Sequence, residues 1–208
     1  MSLADAPKRT LSIGIYLYDE VEVLDFAGPF EVFSTASRVA RKLDPDVTVP
    51  FAVTLVADEP RTVRARAGLP VVCGASFADH PRFDVLVVPG GEVTREVERA
   101  DVAAWIARAA AATMLTASVC TGAFLLANAG LLAGRRVTTH WEDLDDLRRD
   151  FPALHVESGM PWIDEGSIVT SAGISAGLDM SLHLVSRLAG RALAERTARQ
   201  MDYLWRET

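Results

Sequence analysis

The chain has 208 residues, half of them apolar, and 28 acidic against 21 Lys and Arg side chains give it a net charge of −7. That length suits one domain able to bury a sizeable core without disulfides or metals, and the interspersed charge with no basic run argues against nucleic acid as the main partner. Only Cys73 and Cys120 are present, which suits a reducing, cytoplasmic setting, and neither a signal-peptide pattern nor a run of roughly 18 apolar residues points to export or a membrane.

Residues 1–10 read as disordered or tag-like, ahead of a first strand over 11–17. Asp25 then precedes an apolar-periodic helix over 26–39, with Pro29 near its start. A second strand covers 51–57, and 63–74 reads as a hairpin or short extended pieces. The stretch 83–88 is nearly continuous in apolar and β-branched residues, as a parallel strand covered on both faces requires. Pro89-Gly90-Gly91 ends it, and an alanine-rich helix follows over 94–111. Another buried strand, 114–118, runs into Val119-Cys120-Thr121-Gly122 and a helix through Ala129.

Farther on come a strand over 136–139, an acidic, arginine-bearing helix over 142–150, and a hairpin over 162–170 turning at Glu165-Gly166. A helix over 176–188 and an amphipathic segment over 192–205 follow. Strands separated by helices imply right-handed βαβ units. The expectation is therefore a single α/β domain spanning 1–208, a doubly wound, mostly parallel sheet with helices on both faces. Ligands in that architecture sit beyond the carboxyl ends of the strands, where Leu24-Asp25, Pro89-Gly90-Gly91 and Cys120-Thr121-Gly122 converge.

Cys120 follows a buried strand and opens a helix, with Gly122 two positions on to relieve crowding at a sharp turn. Helix amides and dipole there favour the thiolate and are expected to lower the thiol pKa. The competing explanation is a small buried residue, the commonest fate of a free cysteine. Cys73, in Val71-Val72-Cys73-Gly74, reads as packed apolar filling.

Five ordered motifs decide between these. Leu24-Asp25-Phe26-Ala27-Gly28-Pro29, Val87-Val88-Pro89-Gly90-Gly91, Ala117-Ser118-Val119-Cys120-Thr121-Gly122-Ala123, Thr138-Thr139-His140-Trp141 and the stretch Thr170 to Asp179 together resemble the ThiJ/PfpI family, a branch of the class I glutamine amidotransferase-like superfamily. The resemblance runs from Leu11 to Tyr203. It is nearest to the isocyanide hydratase branch and to the ligand-binding half of AraC-type regulators. The protease-like branch places histidine directly after the cysteine; here that position is Thr121, which argues against a peptidase.

The resemblance implies a flavodoxin-like fold, a small-molecule substrate, no cofactor, no metal and a homodimer. Exposed Leu204 and Trp205 would suit a subunit contact. It also implies a route: Cys120 attacks the terminal carbon of an isocyanide, Asp25 delivers a proton to give a thioimidate, and water releases an N-substituted formamide. A carboxyl beside a thiolate titrates with it as one unit, so a protonated Asp25 is a ready general acid; the alternative is a helix N-cap. Thr121 either orients the water or the Asp25 carboxyl, or satisfies backbone donors at the helix start.

The Gly90 and Gly91 amides either face developing negative charge or simply form a tight turn. Glu92 puts an extra charge at the pocket edge. His140 reads as a pocket or structural residue first and a base second, and Trp141 as an aromatic wall. No His, Cys or carboxylate spacing suggests a metal. Two classes remain open: a cysteine-dependent hydratase or hydrolase, with glyoxalase, deglycase or amidase activity as variants, and a non-catalytic sensor of a metabolite or of oxidative stress. An AraC-type regulator would need a further helix-turn-helix region.

Overall fold

A computed structural model describes residues 7–207. Strand β1 (Leu11–Tyr16) leads into helix α1 (Val23–Leu43) and strand β2 (Phe51–Ala57). The hairpin β3 (Arg61–Arg64) and β4 (Pro70–Cys73) precedes β5 (Ala75–Ser76) and β6 (Val85–Val88). Then come α2 (Thr94–Val97), α3 (Ala100–Ala112), β7 (Leu115–Val119) and α4 (Gly122–Asn128). The remainder is β8 (Arg136–Val137), α5 (Leu144–Asp150), β9 (His155–Val156), β10 (Trp162–Asp164), β11 (Ile168–Ser171), α6 (Ala176–Ala189) and α7 (Arg191–Gln200).

Seven strands form one sheet in the order β10-β11-β7-β6-β1-β2-β5, parallel except for the edge strand β10. The central strands β6 and β7 are buried along their whole length, the signature of a sheet covered on both sides. Helices α1, α6 and α7 pack on one another, and α2, α3 and α4 form a second group. This is the doubly wound α/β sandwich that the alternation of strand and helix implied. Because β7, β6 and β1 are neighbours, their carboxyl ends deliver Cys120, Gly90-Gly91 and the start of α1 to one place.

Several boundaries differ from expectation, each for a local reason. Helix α1 starts at Val23, and Glu22 rather than Asp25 caps it, its side chain accepting from the Val23 amide at 3.2 Å. Asp25 therefore lies inside the first turn, and Pro29, which has no N–H, leaves the Asp25 carbonyl without its usual helical donor. The single helix expected over 94–111 is two. Arg99 between them is extended (φ −85°, ψ 105°), where Glu96 is pinned by the Tyr16 hydroxyl and Arg99 reaches Asp58 at 3.0 Å. The strand expected over 136–139 leaves the main sheet and pairs with β9 instead.

Of the leading stretch 1–10, residues 1–6 lie outside the described residues, while Arg9 grips Asp84 at 2.6 and 2.7 Å. The carboxy-terminal tail is strapped down as well. Fully buried Asp179, in the first turn of α6, accepts from the Arg206 amide at 2.8 Å and pairs with the Arg206 guanidinium at 3.0 Å. Trp205 Nε1 donates to the Asp179 carbonyl, so of the two tail apolar residues only Leu204, 87% exposed, stands free. Two residues before Asp179, Gly177 packs so closely on Val119 that a Cβ there would sit 2.9 Å from Val119 Cγ1. Among the described residues no helix is long and apolar enough to cross a membrane.

Candidate active site

The chain leaves β7 through a left-handed Cys120 (φ 56°), a conformation that costs a non-glycine residue about 1–3 kcal/mol. The surrounding structure enforces it. The Cys120 amide donates to the Ser171 carbonyl at 3.2 Å, and Thr139 Oγ1 donates to the Cys120 carbonyl at 2.8 Å. Gly122 lets α4 close onto β6, since a Cβ there would lie 2.1 Å from the Val88 carbonyl oxygen. The result is the sharp turn expected of a nucleophile at an elbow.

Cys120 is 7% exposed and sits on the wall of a cleft of about 690 Å³. It is therefore neither free in solvent nor sealed among aliphatics. The expected depressed thiol pKa is reversed: burial first, then the Asp25 charge, push Cys120 up to about 12, against the opposing amides of Thr121 and Ile174. Helix α4 has only seven residues, and the desolvation of a thiolate at this depth outweighs what its amino end supplies.

Asp25 is wholly buried, and the Gly90 amide donates to its Oδ2 at 3.0 Å. Its Oδ1 has no hydrogen-bond partner. Burial, with Glu22 adding in the same direction, pushes the carboxyl up to about 7, against the Gly90 amide and the Cys120 thiol, which hold it down. A buried, unpaired oxygen costs about 1–3 kcal/mol, and such orphans call for an explanation beyond folding.

The glycine loop is occupied differently from expectation. The Gly90 amide serves Asp25, and the Gly91 amide donates to Thr121 Oγ1 at 2.9 Å. Neither is left for developing charge on a substrate; the amides turned toward the sulfur are those of Thr121 and Ile174. Glycine is required at position 90 by proximity, because a Cβ would lie 2.5 Å from Thr121 Oγ1 and 2.9 Å from Asp25 Oδ2. The Thr121 hydroxyl donates to the Gly91 carbonyl at 3.0 Å and makes no cap bond to its own helix.

His140 lines the cleft with its Nδ1 3.2 Å from Asp143 and its ring against Gly173. Trp141 does not form the expected aromatic wall: it is 73% exposed and outside the cleft lining. The apolar wall comes instead from Val93, Val97, Phe124 and Ile174. Glu92 does stand at the edge, its charge favoured by hydrogen bonds from the Thr94 hydroxyl and amide.

Sequence reasoning passed over Ile174 and Arg66. Ile174 has φ 50° and follows Gly173, a backbone signal inside a motif that was otherwise noted whole. Cys73 is buried, and burial pushes its thiol up to about 11, as packed filling requires. His183 stacks on Trp162 and meets Asp164 at 2.6 Å. Among the described residues no three His, Cys, Asp or Glu side chains gather around a point that would hold a metal ion.

A parallel sheet with a cysteine at the strand-to-helix elbow and a buried carboxyl beside it defines a known class, and the chain belongs to the DJ-1/PfpI family, whose profile matches residues 11–187. It is 34% identical over 194 residues to an isonitrile hydratase of Pseudomonas putida, covering 93% of this chain and 78% of that one. It is 32% identical over 194 residues to the HTH-type transcriptional regulator GbdR of Pseudomonas aeruginosa, covering 92% of this chain but only half of the regulator. Among solved structures, a ThiJ/PfpI family protein from Pseudomonas syringae superposes with a TM-score of 0.81 at 29% identity, over 93% of this chain and 75% of that one.

Proposed function

We propose that the protein is a cysteine-dependent hydratase of small electrophilic substrates, with isocyanides the best-supported class. The observation that carries this reading is the unpartnered Oδ1 of buried Asp25 beside a Cys120 thiol that faces an open cleft. The likeness to an isonitrile hydratase over most of both chains supports the substrate class.

The two raised pKa values define one working ionisation state, a pair that holds a single proton. At rest that proton sits on sulfur and Asp25 is a carboxylate. As an isocyanide enters, the thiol proton passes to Asp25 while sulfur adds to the terminal carbon. Asp25 returns the proton to that carbon, giving the thioimidate RN=CH–S-Cys120. Water then adds to the thioimidate carbon and its protons go to nitrogen and sulfur as the C–S bond breaks. The products are an N-substituted formamide and the free thiol. The Thr121 and Ile174 amides lower the cost of the transient thiolate.

Steady-state turnover of para-nitrophenyl isocyanide and methylglyoxal by the wild type, Cys120→Ala and Asp25→Asn tests the reading. Formamide production lost in both variants is expected; turnover of methylglyoxal alone would reassign the chemistry to a deglycase-like reaction. A sensor reading is favoured by one observation, the match to half of a transcriptional regulator. Tight metabolite binding with no turnover of any electrophile would support it instead.

A further inference from the structure

The cleft above Cys120 is ringed by carboxylates. Glu22, Glu92 and Glu98 come from the first half of the chain, and Glu142, Asp143, Asp146 and Asp150 from the second. Positions 143, 146 and 150 follow helical spacing and share a face of the segment that ends in α5. Arg66 is the one Lys or Arg among the described lining residues, and it turns toward Glu22 at 3.6 Å. Arg149 bridges Asp146 and Asp150 from outside the cleft, and Arg95 acts on Glu92. Crediting all three arginines still leaves a net charge of −4, and Glu98, Glu142 and Asp143 have no arginine among the described residues.

These acids are dispersed around a hollow rather than gathered at a point, so they make a field rather than a chelating cage. Walls of Val93, Val97, Phe124 and Ile174 lie between them, and low-dielectric walls focus such a field into the cleft. The hollow, about 690 Å³, is of a size that takes a drug-sized ligand, far more than a bare electrophilic carbon fills. Cys120 lines it as well and marks where the reacting end belongs.

We infer that the cleft selects substrates carrying a positive charge, an ammonium or guanidinium group held among the arginine-free carboxylates Glu98, Glu142 and Asp143, with the electrophilic carbon at Cys120, and that it discriminates against anions. The electrophilic end of this substrate rests on the hydratase reading; the charge selection does not.

Labelling of Cys120 by two thiosulfonate reagents of similar size, one bearing a trimethylammonium and one a sulfonate, separates the two claims. Rates are followed by mass spectrometry and divided by those for 2-mercaptoethanol. At low salt the ammonium reagent is expected to win by about tenfold or more. The ratio should collapse in 1 M salt, where the screening length is about 3 Å, and fall severalfold in Glu98→Gln/Glu142→Gln, whose side chains are exposed enough to be replaced without unfolding. A wild-type ratio within about twofold of the free thiol, or one unmoved by both salt and the double variant, overturns the inference.

A second arm compares kcat/KM for aliphatic isocyanides ending in an ammonium, a methyl or a carboxylate group. Turnover without charge preference also overturns the inference while leaving the hydratase reading intact. No turnover of any of the three, with the labelling ratio retained, sinks the hydratase reading and upholds the charge selection.

Discussion

Thr121 and Gly91 are locked together in both directions: the Gly91 amide donates to Thr121 Oγ1 at 2.9 Å, and the same hydroxyl donates to the Gly91 carbonyl at 3.0 Å. The side chain after the nucleophile thus fixes the loop whose neighbouring amide, that of Gly90, holds Asp25. Thr121 positions the acid through the loop rather than by touching it. Thr121→Val keeps the shape and removes both bonds, leaving a poorly solvated Gly91 amide unpaired at a cost of about 1–3 kcal/mol. Thermal unfolding should show that loss, and the acidic limb of the pH–rate profile should shift as Asp25 loses its fixed donor. Thr121→Ser should restore both; a serine variant as impaired as valine would refute the positioning role.

The working state of the Asp25–Cys120 pair requires an ionised Asp25 to accept the thiol proton. With the carboxyl raised to about 7, kcat/KM should be flat above neutrality and fall about tenfold per pH unit below it. The alkaline limb belongs to Cys120, raised to about 12, and lies beyond the usual assay range. An acidic limb near pH 4, the ordinary carboxylate range, would show that Asp25 is not the titrating base.

Asp25 also exacts a folding cost with a definite pH dependence. Its native pKa lies above its unfolded value, so the native state binds the extra proton and the associated stability is full below about pH 4 and lost as pH rises toward 7. Asp25→Asn escapes this penalty and can still accept from Gly90. It should therefore melt higher than wild type at pH 7 and above, by a few kcal/mol at most, with the gain shrinking toward pH 4, while turnover is abolished. A variant less stable than wild type at pH 8 would contradict the strain assigned to the carboxyl.

Gly173 guards the position of His140, because a Cβ at 173 would lie 2.0 Å from His140 Cδ2. The ring can swing aside, so Gly173→Ala should cost about 1 kcal/mol or less, but the ring must leave Asp143 and enter the cleft. KM is expected to rise severalfold with kcat less affected. Unchanged kinetics with a large drop in melting temperature would mean that the backbone, not the histidine, gives way.

The sheet was legible because its strands are short, apolar and rich in β-branched residues; β2 occupies the very residues 51–57 expected of it. The elbow was legible because strand, cysteine, glycine and helix follow one another in the chain. What escaped was set by contacts between distant segments. Which carboxylate caps α1, Glu22 or Asp25, depends on where the chain leaves β1. The break at Arg99 depends on Tyr16 and Asp58, forty or more positions away. The sign of the Cys120 shift was misjudged because a local motif shows the helix amides but not the depth of burial. The acidic ring was invisible for a similar reason, since its carboxylates come from three separate stretches and read singly as ordinary surface charge.

The strap at Asp179 makes the carboxy-terminal tail a mechanical handle. Tension on the chain beyond Arg206 is delivered to the first turn of α6, and from Gly177 to Val119, the residue just ahead of the nucleophile. Anything tethered there, whether an affinity tag or a fused module, tugs on the elbow, whereas the same cargo at the amino end pulls through Arg9 on Asp84, just ahead of β6.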